Sequence, residues 1–165
     1  MIQKVNPVIQ KENSCAGSEE YYPKCLIIAF KSKIGNFNLS LKTDKIFGKC
    51  NWGLQGGDPF SDLGKRKSTL KIEFFTGGTL RISPVYYFKF RNNKWQLIGY
   101  TETQIEVPSN DTYIEDYNLV KGIKESYSVI NNKRKAVKTV TFSISPLKDL
   151  QDFDATGGGI DGITD

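Results

Sequence analysis

The sequence predicts an all-β fold: mainly antiparallel strands in an open sheet, β-sandwich or open barrel, with short helical turns and a flexible C-terminal tail. Ten Phe, eight Tyr and two Trp stand beside many Ile, Val and Thr, residues that suit a pleated, half-buried surface. Alanines are few and there is one Met, so a helix-building composition is missing. Short alternating apolar runs recur between Gly, Asn and Pro turn signals, as in all-β chains.

The 165 residues fit one domain with a core of its own. With 38% hydrophobic and 25% charged residues, the composition is that of a soluble globular protein. Residues 1–20 read as a polar N-terminal arm, 21–154 as a single β-rich domain, and 155–165, "ATGGGIDGITD", as a flexible tail.

In "CLIIAFKSKIGNFNLSLKT" two strands flank a turn at 33–36, and Phe37, Leu39 and Leu41 alternate with polar neighbours. "TLKIEFF" alternates Leu70, Ile72 and Phe74 with Lys71 and Glu73, and "TGG" turns the chain. In "YYFKFRNNKWQLIGY", Asn92 and Asn93 form a two-residue hairpin turn, since Asn tolerates positive φ. That register sends Tyr86, Phe88, Phe90, Trp95 and Leu97 inward, and Tyr87, Lys89, Arg91, Lys94, Gln96, Ile98 and Tyr100 outward. "PSNDTYIEDYN" reads as an acidic connection. Further strands follow around a second Asn-Asn turn at 131–132, with Val137, Val140, Phe142 and Ile144 inward. "LKDLQDFD" reads as a helical turn.

The formal charge is +5, and the basic residues are clustered. Lys65, Arg66, Lys67, Lys71, Arg81, Lys89, Arg91 and Lys94 share a region whose only acids are Asp62 and Glu73; Lys133, Arg134, Lys135 and Lys138 form a second group. Such clusters attract anionic glycan, nucleic acid or an acidic protein; they also serve as solvated strand faces and edge lysines that block aggregation. The alternation puts most aromatics opposite the charges, as a core does, rather than in a base-stacking platform.

There is no histidine, which removes Ser–His and Cys–His nucleophiles, His-based metal sites and the usual neutral-pH acid–base group. No carboxylate pair for glycoside hydrolysis stands out among Asp58, Asp62, Glu73 and Glu102. "GLQGGDP" and "TGGT" lack the helix-opening context of a phosphate cradle. Asp152, Asp154, Thr156 and Gly157 imitate the start of a calcium loop, but the twelfth position is Ile163 rather than a bidentate Glu. No cofactor and no metal is expected, and the chain reads as a non-enzyme.

Cys15, Cys25 and Cys50 form no C-x-x-C pair. One disulfide plus one leftover thiol is a possible arrangement, with Cys15–Cys25 the preferred pairing; the alternative is three reduced thiols with Cys25 buried. In "NWGLQGGDPFSDLGKRK", Asp58 before Pro59 initiates a turn or caps a single helical turn, tucking Phe60 and Leu63 onto the sheet. No run reaches transmembrane length. Met1 leads into polar residues, so no signal peptide is visible; if the protein is exported, its leader has been removed.

Several strings, in order, resemble a family of small exported bacterial β-rich proteins without an assigned activity. They are "SKIGNFNLSL", "GGDPF", "LKIEFF", "GG", "YYFKFRNNKWQLIGY", "YNLVKGIKE" and the closing L-x-D-L-x-D-F-D of residues 147–154. The resemblance covers about residues 25 to 154; it departs where members carry GG-x-x-W-R-W and this chain has "GGTLRISPVYY". It implies a periplasmic or lipid-anchored envelope protein that binds rather than catalyses.

The combined expectation is an immunity-type inhibitor, binding another protein such as a secreted toxin or hydrolase. The alternative is a module that binds an anionic glycan or envelope polymer; nucleic acid is not expected. Candidate partner-binding residues are Trp52, Asp58, Lys65, Arg66, Lys67, Tyr87, Lys89, Arg91, Lys94 and Tyr100.

Overall fold

The computed structural model describes residues 24–48, 57–131, 133–143, 146–156 and 160. The fold is all-β and antiparallel: ten strands, a single 3-10 turn and no α-helix among the described residues. Strands β1 (Leu26–Lys31) and β2 (Phe37–Thr43) make a separate hairpin. The main sheet contains β3 (Phe60–Arg66), β4 (Thr69–Phe74), β5 (Thr76–Gly77), β6 (Leu80–Arg91), β7 (Lys94–Glu106), β8 (Asp111–Asn118), β9 (Ile123–Ile130) and β10 (Lys133–Thr141). Its order is β10-β9-β8-β7-β6-β4-β3, with the short β5 pairing β6 beside β4. Nearly every neighbour in space is therefore a neighbour in sequence, as in a meander.

The long β6–β7 hairpin forms because Asn92 and Asn93 both take positive φ, 52° and 58°, the geometry of the hairpin turn that matches strand twist. Arg91 faces Lys94, Phe90 faces Trp95 and Phe88 faces Leu97. The register then shifts, because Tyr87 pairs with Gly99 and leaves Ile98 as an extra residue in β7. A bulge of one residue reverses the parity of everything beyond it. Tyr100 is accordingly 5% exposed on the core face, which corrects its expected outward position.

Pro84 lies in β6 where its partner changes from β4, which reaches Val85, to β5, which begins at Ile82. A residue without an N–H is tolerated best at such a break in the ladder. The Ser83 hydroxyl donates to the Phe74 carbonyl at 3.3 Å and stitches the two sides together.

Three expected elements are corrected. "DTYIEDYN" is not a connection but β8, paired with β7 from Glu106 to Gly99. "DPFSDL" forms no helical turn. Asp58 accepts the Phe60 N–H at 3.0 Å and the chain enters β3 directly, although Phe60 and Leu63 do pack on the core. Val137 is exposed rather than inward, because a second register shift separates Lys135 from Lys138. Val140 is half-buried and Phe142 packs on the core, and Ile144 lies outside the described residues.

Leu70, Ile72, Phe74, Tyr86, Phe88, Trp95, Leu97, Tyr100 and Tyr117 form the inner face of the sheet. The β1–β2 hairpin covers part of it with Leu26, Ile28 and Leu41, and the 3-10 turn at Lys45–Phe47 adds Ile46. The C-terminal segment supplies the rest. Lys148 accepts from the Leu97 N–H at 2.9 Å, and Leu150 donates to the Trp95 carbonyl at 2.7 Å. These bonds fill the stretch of β7 edge that β8 leaves open, and turn residues 150–152 hold no helix. Leu150 and Phe153 are thereby driven into the core, with the Phe153 ring 4.9 Å from Tyr86 and 5.3 Å from Phe88. Ala155, expected in the tail, is buried as well.

Candidate functional site

Strand alternation divides the expected binding residues between two faces. On the outer face, one row runs Arg66, Thr69, Lys89 and Gln96 across β3, β4, β6 and β7. Arg91 stands two residues beyond Lys89 on the same face, and Lys67 follows Arg66 in the β3–β4 turn with φ 54°. Arg66, Lys67, Lys89 and Arg91 make no ion pair with a described residue; Arg91 only donates from Nε to Gln96 Oε1 at 2.7 Å. Lys94 is on this side but is held by Asp149 at 3.5 Å. Lys71 lies in the next row and bonds Glu73, whose hydrogen bond holds the ammonium above its ordinary pKa against the opposing effect of burial.

Tyr87 occupies the middle of this face, half-buried against Gly99. A Cβ on Gly99 would sit 3.2 Å from the Tyr117 carbonyl and 3.6 Å from the Tyr87 ring. The missing side chain at Gly99 thus leaves room for the Tyr87 ring beside it.

The remaining expected residues do not join it. Lys65 is opposite Leu70 and belongs to the inner side of β3, so the 65–67 run does not present one surface. Asp58 is engaged by Lys24 at 2.5 Å. Tyr100 is in the core. Trp52 and Cys15 lie outside the described residues, as does Cys50. Cys25 carries a free, exposed thiol, which corrects the burial expected of it in the reduced state.

The inner face holds a polar cluster that sequence reasoning missed. Beyond the apolar half, three rungs join β7 to β8: Glu102 opposite Glu115, Gln104 opposite Tyr113, and Glu106 opposite Asp111. Glu102 accepts from Tyr100 Oη at 2.5 Å and from Gln104 Nε2 at 2.6 Å. Glu115 accepts from Tyr117 Oη at 2.9 Å and Tyr113 Oη at 3.2 Å, and pairs with Lys124 Nζ at 3.1 Å. Burial pushes the Glu115 carboxyl up, but hydrogen bonds from Lys124 and Tyr117 outweigh it and hold the group below its ordinary value. Burial and the neighbouring carboxylate both push the Tyr100 phenol up.

Glu102 and Glu115 are the converging carboxylates that would suit a glycosidase, which needs one acid held protonated near neutral pH. The shift of Glu115 runs the opposite way, and Lys124 keeps it ionised. The only sequence signal for the cluster was the alternation of Tyr113, Glu115 and Tyr117 within an apparent loop.

No helix among the described residues is long and apolar enough to cross a membrane. Compared with known proteins, the chain matches no protein-family model, no curated protein and no solved structure.

Proposed function

We propose that this chain is a non-catalytic binding protein that docks the basic end of its outer sheet face onto an acidic surface of another protein. The partner class is a secreted toxin or hydrolase, and the role is inhibition of the immunity type. One observation carries the reading: Arg66, Lys67, Lys89 and Arg91 gather on one face with no carboxylate among the described residues to neutralise them. Cations arranged this way steer an acidic partner and raise its association rate. The bacterial envelope as location rests on the resemblance of "GGDPF" and the "YYFKFRNNKWQLIGY" hairpin to small exported proteins.

The test is capture of a partner from envelope and secreted fractions by the native protein and by the triple variant R66E/K89E/R91E. A one-to-one complex is expected with the native chain, with a salt-dependent on-rate, and its loss is expected in the variant. Binding to purified peptidoglycan or lipopolysaccharide that moderate salt abolishes, with no protein partner, would replace this reading with the glycan-binding one. An equally tight complex in the variant would overturn the docking face.

A further inference from the structure

The β1–β2 hairpin ends in apolar side chains that no described part of the chain covers. Its two strands pair only with each other. Phe30 turns toward the main sheet, its ring centre 4.9 Å from that of Phe90. Its neighbours Ala29 and Lys31 therefore point away from the sheet, and their cross-strand partners Leu39 and Phe37 point away with them. Leu41 is buried, but Leu39 is 65% exposed, Phe37 52% and Ile34, in the turn, 83%. Exposed apolar residues clustered this closely mark a contact surface.

The charge around these residues has one sign. From Cys25 to Thr43 the chain carries Lys31, Lys33 and Lys42 and no acid. All three lysines are exposed and make no ion pair with a described residue. The turn between the strands is closed on itself: the Ser32 N–H donates to the Asn36 carbonyl at 2.7 Å, and the Gly35 N–H to the Ser32 carbonyl at 3.1 Å. Backbone groups paired in this way lose little when the turn leaves water.

We propose that the β1–β2 hairpin docks the protein onto an anionic lipid bilayer. Ile34, Phe37 and Leu39 enter the interfacial layer, and Lys31 and Lys33 reach the headgroup phosphates with their stems lying along the apolar residues. Ile34 belongs to the turn, whereas Phe37 and Leu39 belong to one face of the hairpin. A protein pocket would have to wrap around the end of the hairpin to bury all three, but a fluid interface receives them together. A second copy of the chain would set the same lysines against these and be repelled. The site shares no residue with the basic outer face, so it adds a membrane contact to the protein contact proposed there.

Flotation of the full chain with vesicles of phosphatidylglycerol and phosphatidylcholine tests the assignment. The native protein should float with them and not with vesicles of phosphatidylcholine alone. I34S/F37S/L39S should lose at least about tenfold in vesicle partition, and K31Q/K33Q should weaken it as added salt does. All five residues are exposed, and an unaltered circular dichroism spectrum and melting temperature exclude unfolding. R66Q/K89Q/R91Q, which neutralises the outer face, should float better than K31Q/K33Q. Capture of the outer-face partner should be unchanged in I34S/F37S/L39S, so the failure of either reading leaves the other standing. No flotation of the native chain overturns the proposal, as does equal flotation of I34S/F37S/L39S. So does flotation lost in R66Q/K89Q/R91Q but kept in K31Q/K33Q, or a protein partner that I34S/F37S/L39S fails to capture while no vesicle binds the native chain.

Discussion

Glu102 and Glu115 face one another across β7 and β8, and two like charges stay side by side because Tyr100, Gln104, Tyr113, Tyr117 and Lys124 surround them with donors. Glu115 therefore has a depressed pKa in the folded chain. Its unfolded value is about 4.3. The stabilisation it provides is fully present above that value and is lost as pH falls through the lower folded value. Urea denaturation of the native protein and Glu115→Gln should converge as pH drops from about 5 toward that folded value, because the variant lacks the titrating group. A variant whose stability falls as steeply as the native protein over that window would contradict the assignment. Lys124 is shifted upward, so its contribution persists through neutral pH and is lost only as pH rises through the raised value.

The β1–β2 hairpin is tied to the main sheet by the Trp95 indole, which donates to Ser40 Oγ at 3.1 Å. Trp95 is 8% exposed, so removal of the hydroxyl leaves a buried donor unmet, at a cost of about 1–3 kcal/mol. Ser40→Ala should lower the unfolding free energy by that amount, read as a lower urea midpoint at an unchanged m-value, whereas Ser40→Thr, which keeps the hydroxyl, should lose less.

Two adjacent glycines separate backbone strain from chance. Gly77 has φ 105°, and a Cβ there would stand 2.0 Å from the Leu80 carbonyl oxygen. Gly78 has nothing within 4 Å. Gly77→Ala should destabilise the protein by about 2 kcal/mol or more, while Gly78→Ala should stay within about 0.5 kcal/mol. Thermal melts of the pair decide it: similar losses would refute the claim that the β5–β6 turn depends on that conformation.

The strands legible in the sequence were those with one wet and one dry face. "FNLSLKT", "TLKIEFF" and the Asn92–Asn93 hairpin alternate cleanly, and their register follows. β8 escaped because Thr112, Ile114 and Asp116 occupy one face and Tyr113, Glu115 and Tyr117 the other, so neither face reads as apolar. Tyr100 escaped because no residue type announces a bulge, and a single extra Ile98 flips all that follows. The acidic rungs were invisible for the same two reasons together: Glu102 lay past the bulge, and Glu115 lay in a strand mistaken for a loop. The basic end survived because Arg66, Lys89 and Arg91 all precede that irregularity.

The C-terminal segment has a consequence for biosynthesis. Leu150, Phe153 and Ala155 belong to the same core as Leu70 and Phe88, and β7 receives part of its edge pairing from residues 148–150. A nascent chain that has left the ribosome only through β10 has all its main-sheet strands but an unsealed aromatic face. Native packing must then wait until residue 155 is released, and up to that moment Tyr86 and Phe88 are surface for a holdase chaperone to grip.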